Sequence, residues 1–368
     1  MHRHEHQLVH RCGLPRVFCS ILPPDLLARL ADEGKEGQRQ AAIRTIATSS
    51  AIRARRALIT NLVRTRGVDL AALGLAPKAL NRTVFDVEQG GWNDLPGRQV
   101  RSEGDDTSDD DSANEAYDGA DSTYAFYREV YDRDSVDDAG YPLISCVHFG
   151  VDIDNAFWDG GEMVYGDGSG QIFLVGSLTT SIDVIGHELT HGVTQYTAGL
   201  EYSKQSGALN ESFSDVFGSL VKQYSLGQSA DEADWLIGEG ILVPEFGEAL
   251  RSMSEPDSAS VASAQPAHMD DYQDLPDDED PRNDNGGVHI NSGIPNKAFY
   301  LVATALGGNA WDAPGQIWYQ TLTQRLGPTS QFREAADATV EAAADLFGAG
   351  GSEEQAVQQA WEEVGVLG

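Results

Sequence analysis

His187-Glu-Leu-Thr-His191 is the stretch on which the reading turns. Ile182, Ile185, Leu189, Val193 and Tyr196 recur around it at helical spacing, which predicts a helix beginning near Ser181. Helical positions four apart share a face, so the two imidazoles can hold one zinc ion between them. Glu188 then lies beside the place where a metal-activated water would sit and can accept its proton. Two His on an ordinary surface helix give the same pattern by chance. The apolar flanks raise this one above that background.

Two imidazoles do not complete a catalytic zinc site; the usual third ligand is a carboxylate or another His. Downstream comes Gly207-Ala-Leu-Asn-Glu211-Ser-Phe-Ser-Asp215, on a second periodic run that includes Leu209, Phe213, Val216, Phe217, Leu220 and Tyr224. Glu211 can complete the ligand set, and Asp215, one turn on, can accept the second ring N–H of a ligating His. A Glu near a helix start is also stabilised by the helix dipole. That explains Glu211 alone but not its coincidence with the His pair. A third segment, Asp284-Asn-Gly-Gly-Val-His289, joins a Gly pair to a His. Such a loop suits close backbone approach, with His289 donating to an oxyanion and Asp284 orienting it.

Composition narrows the classes of function. The chain has 368 residues, with 25 Lys+Arg against 58 Asp+Glu and a net charge of -33. Phosphate contacts need clustered cations, so nucleic acid is not an expected partner. No apolar run is long enough to cross a bilayer, and anionic membrane surfaces would repel the chain. The charge is segregated: residues 1–80 carry +7 and residues 81–368 carry -40. A basic leader on an acidic body suggests either mutual attraction or a leader that is a separate unit. With 5 Lys against 20 Arg, the surface fits either salt adaptation or a merely acidic protein. Cys12, Cys19 and Cys146 are too few for a disulfide framework, although Cys12 and Cys19 could pair or bind metal. Cys146 reads as a buried thiol. His2, His4, His6 and His10 read as a solvated tail rather than a metal tract. The N-terminus lacks an apolar signal region, so a cytoplasmic location or a non-standard export route is expected.

Along the chain, Ile21-Leu-Pro-Pro-Asp25 marks a helix entry before Leu26–Ala31, Gln40–Ile59 looks helical, and Thr65–Lys78 is a linker. Thr83–Val175 reads largely as strand and turn. Gly166–Gly170 is expected to close a hairpin between Glu162–Tyr165 and Gln171–Val175. Glu103–Asp111 and Asp270–Asn285 are acidic loops. From Ser181 helices dominate; Pro295 and Gly307 bracket one, and Ser352 with Gln355 forms a capping box before the last.

Together the three segments resemble the thermolysin family of zinc metallopeptidases, over nearly all of Thr83–Gly368. Asn155-Ala-Phe-Trp158 matches the family's substrate-binding edge strand. Gly192–Tyr202 matches the segment whose Tyr assists a His in stabilising the tetrahedral intermediate. Leu250-Arg251-Ser-Met-Ser matches the Arg that holds a substrate carbonyl. The leader, with Pro23-Pro24, is similar to that of the protealysin subgroup, in which a short propeptide replaces a long one.

The resemblance implies an α+β, two-lobed enzyme: a propeptide over residues 1–50 (boundary between 45 and 80), a mainly antiparallel β lobe over 51–180, and a helical lobe over 181–368. The active-site cleft lies between the lobes. It implies a monomeric neutral endopeptidase, made as a self-processing zymogen with its own propeptide as inhibitor. Zinc would be held by His187, His191 and Glu211, with Glu188 as base and Tyr202 and His289 on the oxyanion. Asn155, Ala156 and Arg251 would align the peptide or protein substrate. Val184, Ile237 and Leu250 would line an apolar pocket for the residue after the scissile bond. Asp183, Asp234 and Glu239 match a double calcium site, but a Glu that would bridge the two ions is Lys222 here, so at most one calcium is expected. The loop Asp270–Asn285 has no family counterpart. The alternatives are a zinc aminopeptidase, which would need an acidic amine-recognition motif that is absent, and a non-catalytic calcium- or partner-binding relative, which would require a damaged centre.

Overall fold

The structure, a computed structural model, describes residues 20–49 and 80–368. Its N-terminal part is built on a five-stranded sheet in the order β2-β1-β3-β5-β4, formed by β1 (Arg82–Asp86), β2 (Arg98–Ser102), β3 (Leu143–Val147), β4 (Ala156–Trp158) and β5 (Met163–Tyr165). The α+β class holds, but the sheet is mixed rather than mainly antiparallel: β1–β2 and β4–β5 are antiparallel, β1–β3 and β3–β5 parallel. Parallel neighbours need a long crossover, and between β1 and β3 it contains a helix the sequence reading missed, α3 (Asp111–Tyr131). Its buried face is made of Ala113, Ala116, Tyr117, Ala120, Phe126 and Tyr127, so small residues carry a helical stripe that Leu or Ile would have made obvious. Asp110 at the end of the acidic loop caps α3 by accepting the Ala113 N–H.

The expected hairpin after Tyr165 does not form. Strand β5 already has β3 on one side and β4 on the other, which leaves Gln171–Val175 no edge to join. That segment is tied down instead by the buried Asp154 carboxylate, whose Oδ1 accepts the N–H groups of Ser169 (2.9 Å) and Phe173 (3.0 Å).

The C-terminal part consists of α4 (Ile182–Tyr196), α5 (Lys204–Leu226), the short ribbon β6 (Leu236–Ile237) with β7 (Arg251–Ser252), and α6 (Asp284–Asn291), α7 (Gly293–Leu306), α8 (Ala313–Gln324), α9 (Phe332–Phe347) and α10 (Ser352–Glu363). Helices α4 and α5 cross very closely. A Cβ on Gly218 would come within 2.4 Å of the Asp183 carbonyl oxygen, so only glycine allows this approach. Gly307 ends α7 as expected. The capping box expected at Ser352 is absent; Gly351 occupies the cap, and a box forms instead at Gln331–Glu334 of α9. Among the described residues, no helix is long and apolar enough to cross a membrane.

The leader contributes α1 (Pro24–Glu33) and a helix α2 over residues 36–49. Ile21, Leu22, Leu26, Leu27, Ala41 and Ala42 are buried in the main core cluster of the molecule. Each such side chain adds about 1–3 kcal/mol of burial, depending on its size. The expectations for Cys12, Cys19, the N-terminal His residues, the later part of Gln40–Ile59 and the linker Thr65–Lys78 lie outside the described residues.

Candidate active site

The α4–α5 contact assembles the centre. His187 and His191 lie one turn apart on α4 and are almost fully buried, and their Nε2 atoms face each other at 3.0 Å. Their other ring nitrogens are anchored. His187 Nδ1 meets Asp215 Oδ1 at 2.8 Å, while His191 Nδ1 meets Asn210 Oδ1 at 2.8 Å and Ser214 Oγ at 2.9 Å. An Nδ1–H held by a carboxylate or amide oxygen leaves the Nε2 lone pair free to coordinate. Two such lone pairs converging in a buried site repel unless a cation stands between them. Glu211, from α5, brings Oε2 to 3.5 Å from His187 Nε2 and Oε1 to 3.4 Å from His191 Nε2. Two imidazoles and a carboxylate are a donor set that fits zinc.

A carboxylate oxygen of Glu188 also lies within 4.8 Å of the His ligand atoms. Its Oε2 accepts the Trp158 N–H at 2.9 Å, which ties it to the edge strand β4. Glu211 is therefore the better third ligand, because its two oxygens approach both imidazoles. Asp215 is fully buried, yet it accepts from His187, from Arg251 Nε (3.0 Å) and Nη2 (2.8 Å), and from Asn296 Nδ2 (2.9 Å). Burial raises its pKa, but the Arg251 charge and the His187 contact outweigh that and hold it well below the usual carboxylate range.

The opposite wall comes from α6. Asn285, Gly286 and Gly287 there have positive φ, so the chain doubles back and Asp284 faces the His289 ring. Asp284 Oδ1 accepts His289 Nδ1–H at 2.6 Å, and its Oδ2 accepts the backbone N–H of His289 (2.6 Å) and Ile290 (3.1 Å). His289 is buried, which would lower its pKa, but Glu211 and Asp284 push it up to about 9. The Tyr202 hydroxyl lies 3.1 Å from His289 Nε2 and donates to Glu211. Gln265 supports this wall by donating to the His289 carbonyl (2.6 Å) and Ser292 Oγ (2.9 Å).

The leader's backbone engages Asn155, Ala156 and Arg251, the residues expected from the sequence to align a substrate. Ile21 N–H donates to Ala156 O (3.2 Å), and Leu22 N–H to Asn155 Oδ1 (3.3 Å). Arg251 Nη1 donates to Ile21 O (3.0 Å), and the Ser20 carbonyl accepts from His289 Nε2 (2.9 Å). Val184, Ile237 and Leu250 are fully buried; Ile237 and Leu250 adjoin through the β6–β7 ribbon, where Leu250 N–H donates to Ile237 O (2.9 Å).

Asp183, Asp234 and Glu239 belong to a separate cluster. Lys222 Nζ lies 2.6 Å from Asp234 Oδ2 and 3.3 Å from Glu239 Oε2, and Asp183 also acts on its charge. Burial lowers the Lys222 pKa, and the three carboxylates more than restore it. The oxygens of Asp183 are taken by Ser181 Oγ, Val184 N–H and Gly238 N–H.

Sequence reasoning missed Asn210, Trp158, Gln265 and Asn296. Asn210 immediately precedes Glu211, and Asn296 lies one turn after Ser292, so both stood inside or beside quoted motifs. Trp158 closes the quoted edge strand but acts through its backbone N–H, which no residue type marks, and Gln265 comes from a loop with no periodicity.

Comparison with known proteins agrees with this geometry. A family model described as the thermolysin metallopeptidase catalytic domain matches residues 76–195, and one described as the thermolysin metallopeptidase alpha-helical domain matches residues 198–366. An extracellular metalloprotease of Pectobacterium carotovorum subsp. carotovorum is 44% identical, over 95% of this chain and 97% of that protein. Protease PrtS of Photorhabdus sp. (strain Az29) is 42% identical, over 95% and 92%. Among solved structures, the precursor of protealysin, a metalloproteinase from Serratia proteamaculans, superposes with a TM-score of 0.80 at 44% identity, covering 95% of this chain and 100% of that one.

Proposed function

The chain belongs to the thermolysin family of zinc metalloendopeptidases, and on that premise we propose that it is a zymogen whose residues 20–49 cover the catalytic cleft. The roles of its residues in hydrolysis follow from where they stand. His187, His191 and Glu211 would hold a zinc ion, which would supply Lewis-acid polarisation and an acidified water. Glu188 accepts the proton of the attacking water and delivers it to the leaving amine. Trp158 N–H, bonded to its other oxygen, keeps it aimed. Tyr202 and His289 donate to the oxyanion. Asp284 fixes the His289 ring, and Asp215 fixes His187. Asn155, Ala156 and Arg251 align the substrate backbone. Val184, Ile237 and Leu250 favour a hydrophobic residue after the scissile bond. Lys222 takes the position of a cation among Asp183, Asp234 and Glu239, which leaves room for one calcium at most.

The observation that carries the reading is the convergence of the two Nε2 atoms, 3.0 Å apart, with Glu211 beside both. The test is Glu188→Gln in the full chain. It should retain zinc and leave the chain unprocessed, with turnover of a blocked internal peptide reduced at least ~100-fold, because only the proton acceptor is lost. A fully active Gln variant would sink the mechanism.

A further inference from the structure

Asp25 is the second residue of α1, and its side chain is turned into the contact between the leader and the catalytic centre. Helix α1 packs on the turn Pro281–Asn283, which runs directly into Asp284. Asp25 Oδ1 is buried without a hydrogen-bond partner. From α6 it faces two charges: Asp284, the carboxylate that orients His289, which favours the protonated form of Asp25, and the His289 ring behind it, which opposes that to a smaller extent. From its own helix comes Arg29, 3.7 Å away but 57% exposed, so its charge is screened by water. Arg282 on the turn is engaged by Asp280 and faces Asp32.

Of the two carboxyls, Asp284 is the better hydrogen-bonded. Three N–H groups of its own loop already satisfy it. Asp25 is less well served: Leu26 N–H and the exposed Arg29 favour its charge, but its Oδ1 is buried without a partner, and a largely enclosed carboxylate beside a like charge favours its protonated form.

We propose that Asp25 makes the leader's hold on the cleft pH-dependent: tight when its carboxyl is protonated, weaker when two carboxylates face each other across the contact. This deepens the zymogen reading and rests on it. The sign follows from linkage. Burial first, then Asp284, push the docked Asp25 carboxyl up to about 6. Undocking returns it to water and a value near ~3.9. A group whose docked value is the higher one holds fully below the lower value. The hold then falls as pH rises and levels off above about 6. The whole change is on the order of tenfold to a hundredfold in the docking equilibrium. The precursor therefore stays shut in acid and opens toward neutral pH.

The test uses the full-length Glu188→Gln chain loaded with zinc, so that no self-cleavage intervenes. Hydrogen exchange of the backbone amides of Ile21, Leu22 and α1 is followed across the acid-to-neutral range and corrected for intrinsic rates. Amides of α5 in the same spectra report global stability. With Asp25 present, leader opening should increase tenfold to a hundredfold across the window and then level. With Asp25→Asn, and independently with Asp25→Ser, the profile should be flat and the leader more protected at neutral pH. An unchanged rise in both variants overturns the proposal. The zymogen reading fails on a different result, namely a freshly purified full-length chain that cleaves a blocked peptide as fast as the processed enzyme.

Discussion

At the scale of single residues, the centre is a set of buried polar groups that are stable only together. Arg251 and Asp215 are each almost wholly enclosed and satisfy each other, Asp215 being bonded also by His187 and Asn296 and Arg251 also donating to the leader's Ile21 carbonyl. His148 shows the same logic away from the cleft. Its backbone is left-handed (φ 57°), and its ring bridges Asp167 (2.7 Å from Nδ1) and Asp110 (3.0 Å from Nε2), so it pins the glycine loop to the cap of α3. The Asp167 hydrogen bond, against a lesser desolvation and with help from Asp110, pushes His148 up to about 9. A raised folded-state value means that its stabilisation is complete below the free His value and is lost as pH rises through about 9. His148→Asn, which tolerates the left-handed backbone, should cost about 1–2 kcal/mol near pH ~6 and almost nothing near pH ~10. Denaturant midpoints at the two pH values measure this, and an equal loss at both would refute the clip.

At the scale of elements, α5 carries two clusters on one helix. Its first half presents Glu211 and Asp215 to α4, and its second half presents Lys222 to Asp234 and Glu239. An ammonium among carboxylates does part of the work of a divalent ion, without the repulsion between two ions that a shared carboxylate must offset. Calorimetric titration of the processed enzyme with calcium should therefore give at most one weak site here. Lys222→Glu, which restores an anion, should tighten binding by tenfold or more. Two tight ions in the unmodified protein would show that Lys222 does not replace one. The first half of α5 was legible because Glu211 and Asp215 repeat at helical spacing. Helix α3 was not, because Ala113, Ala116, Gly119 and Ala120 make up much of its buried face beside Tyr117, Phe126 and Tyr127, and single-residue hydrophobicity hardly marks such small residues.

At the scale of the whole molecule, the charge segregation suggested a leader held by electrostatics. The docked leader does pair Lys35 with Glu245 and Arg44 with Asp152, but these pairs are largely exposed. Exposed pairs contribute about 0–1 kcal/mol each and are screened by salt. Ile21, Leu22, Leu26 and Leu27 are at most 5% exposed, and their burial outweighs the pairs. The freshly purified full-length chain should therefore stay as silent in about 1 M salt as in dilute buffer, within about twofold. Initial rates on a blocked peptide, normalised to processed enzyme at the same salt, decide it. A large gain of activity with salt would return the weight to charge.

The sequence by itself determined the chemistry of this protein, because metal ligation and proton transfer need particular side chains at helical spacing. His187, Glu188, His191, Glu211 and Asp215 satisfy that need within two short runs of chain. It also determined that helices dominate after Ser181, since their periodicity is local. Only the tertiary structure decided how the strands pair, because a parallel neighbour is chosen by the crossover between strands and not by the strands themselves. Only it revealed the supports of the centre, Trp158, Gln265 and Asn296, whose partners lie 30, 24 and 81 residues away in the chain. And only it placed Asp25 against Asp284, because the pKa of a carboxyl is set by what surrounds it in space, and the sequence separates those two residues by most of the molecule.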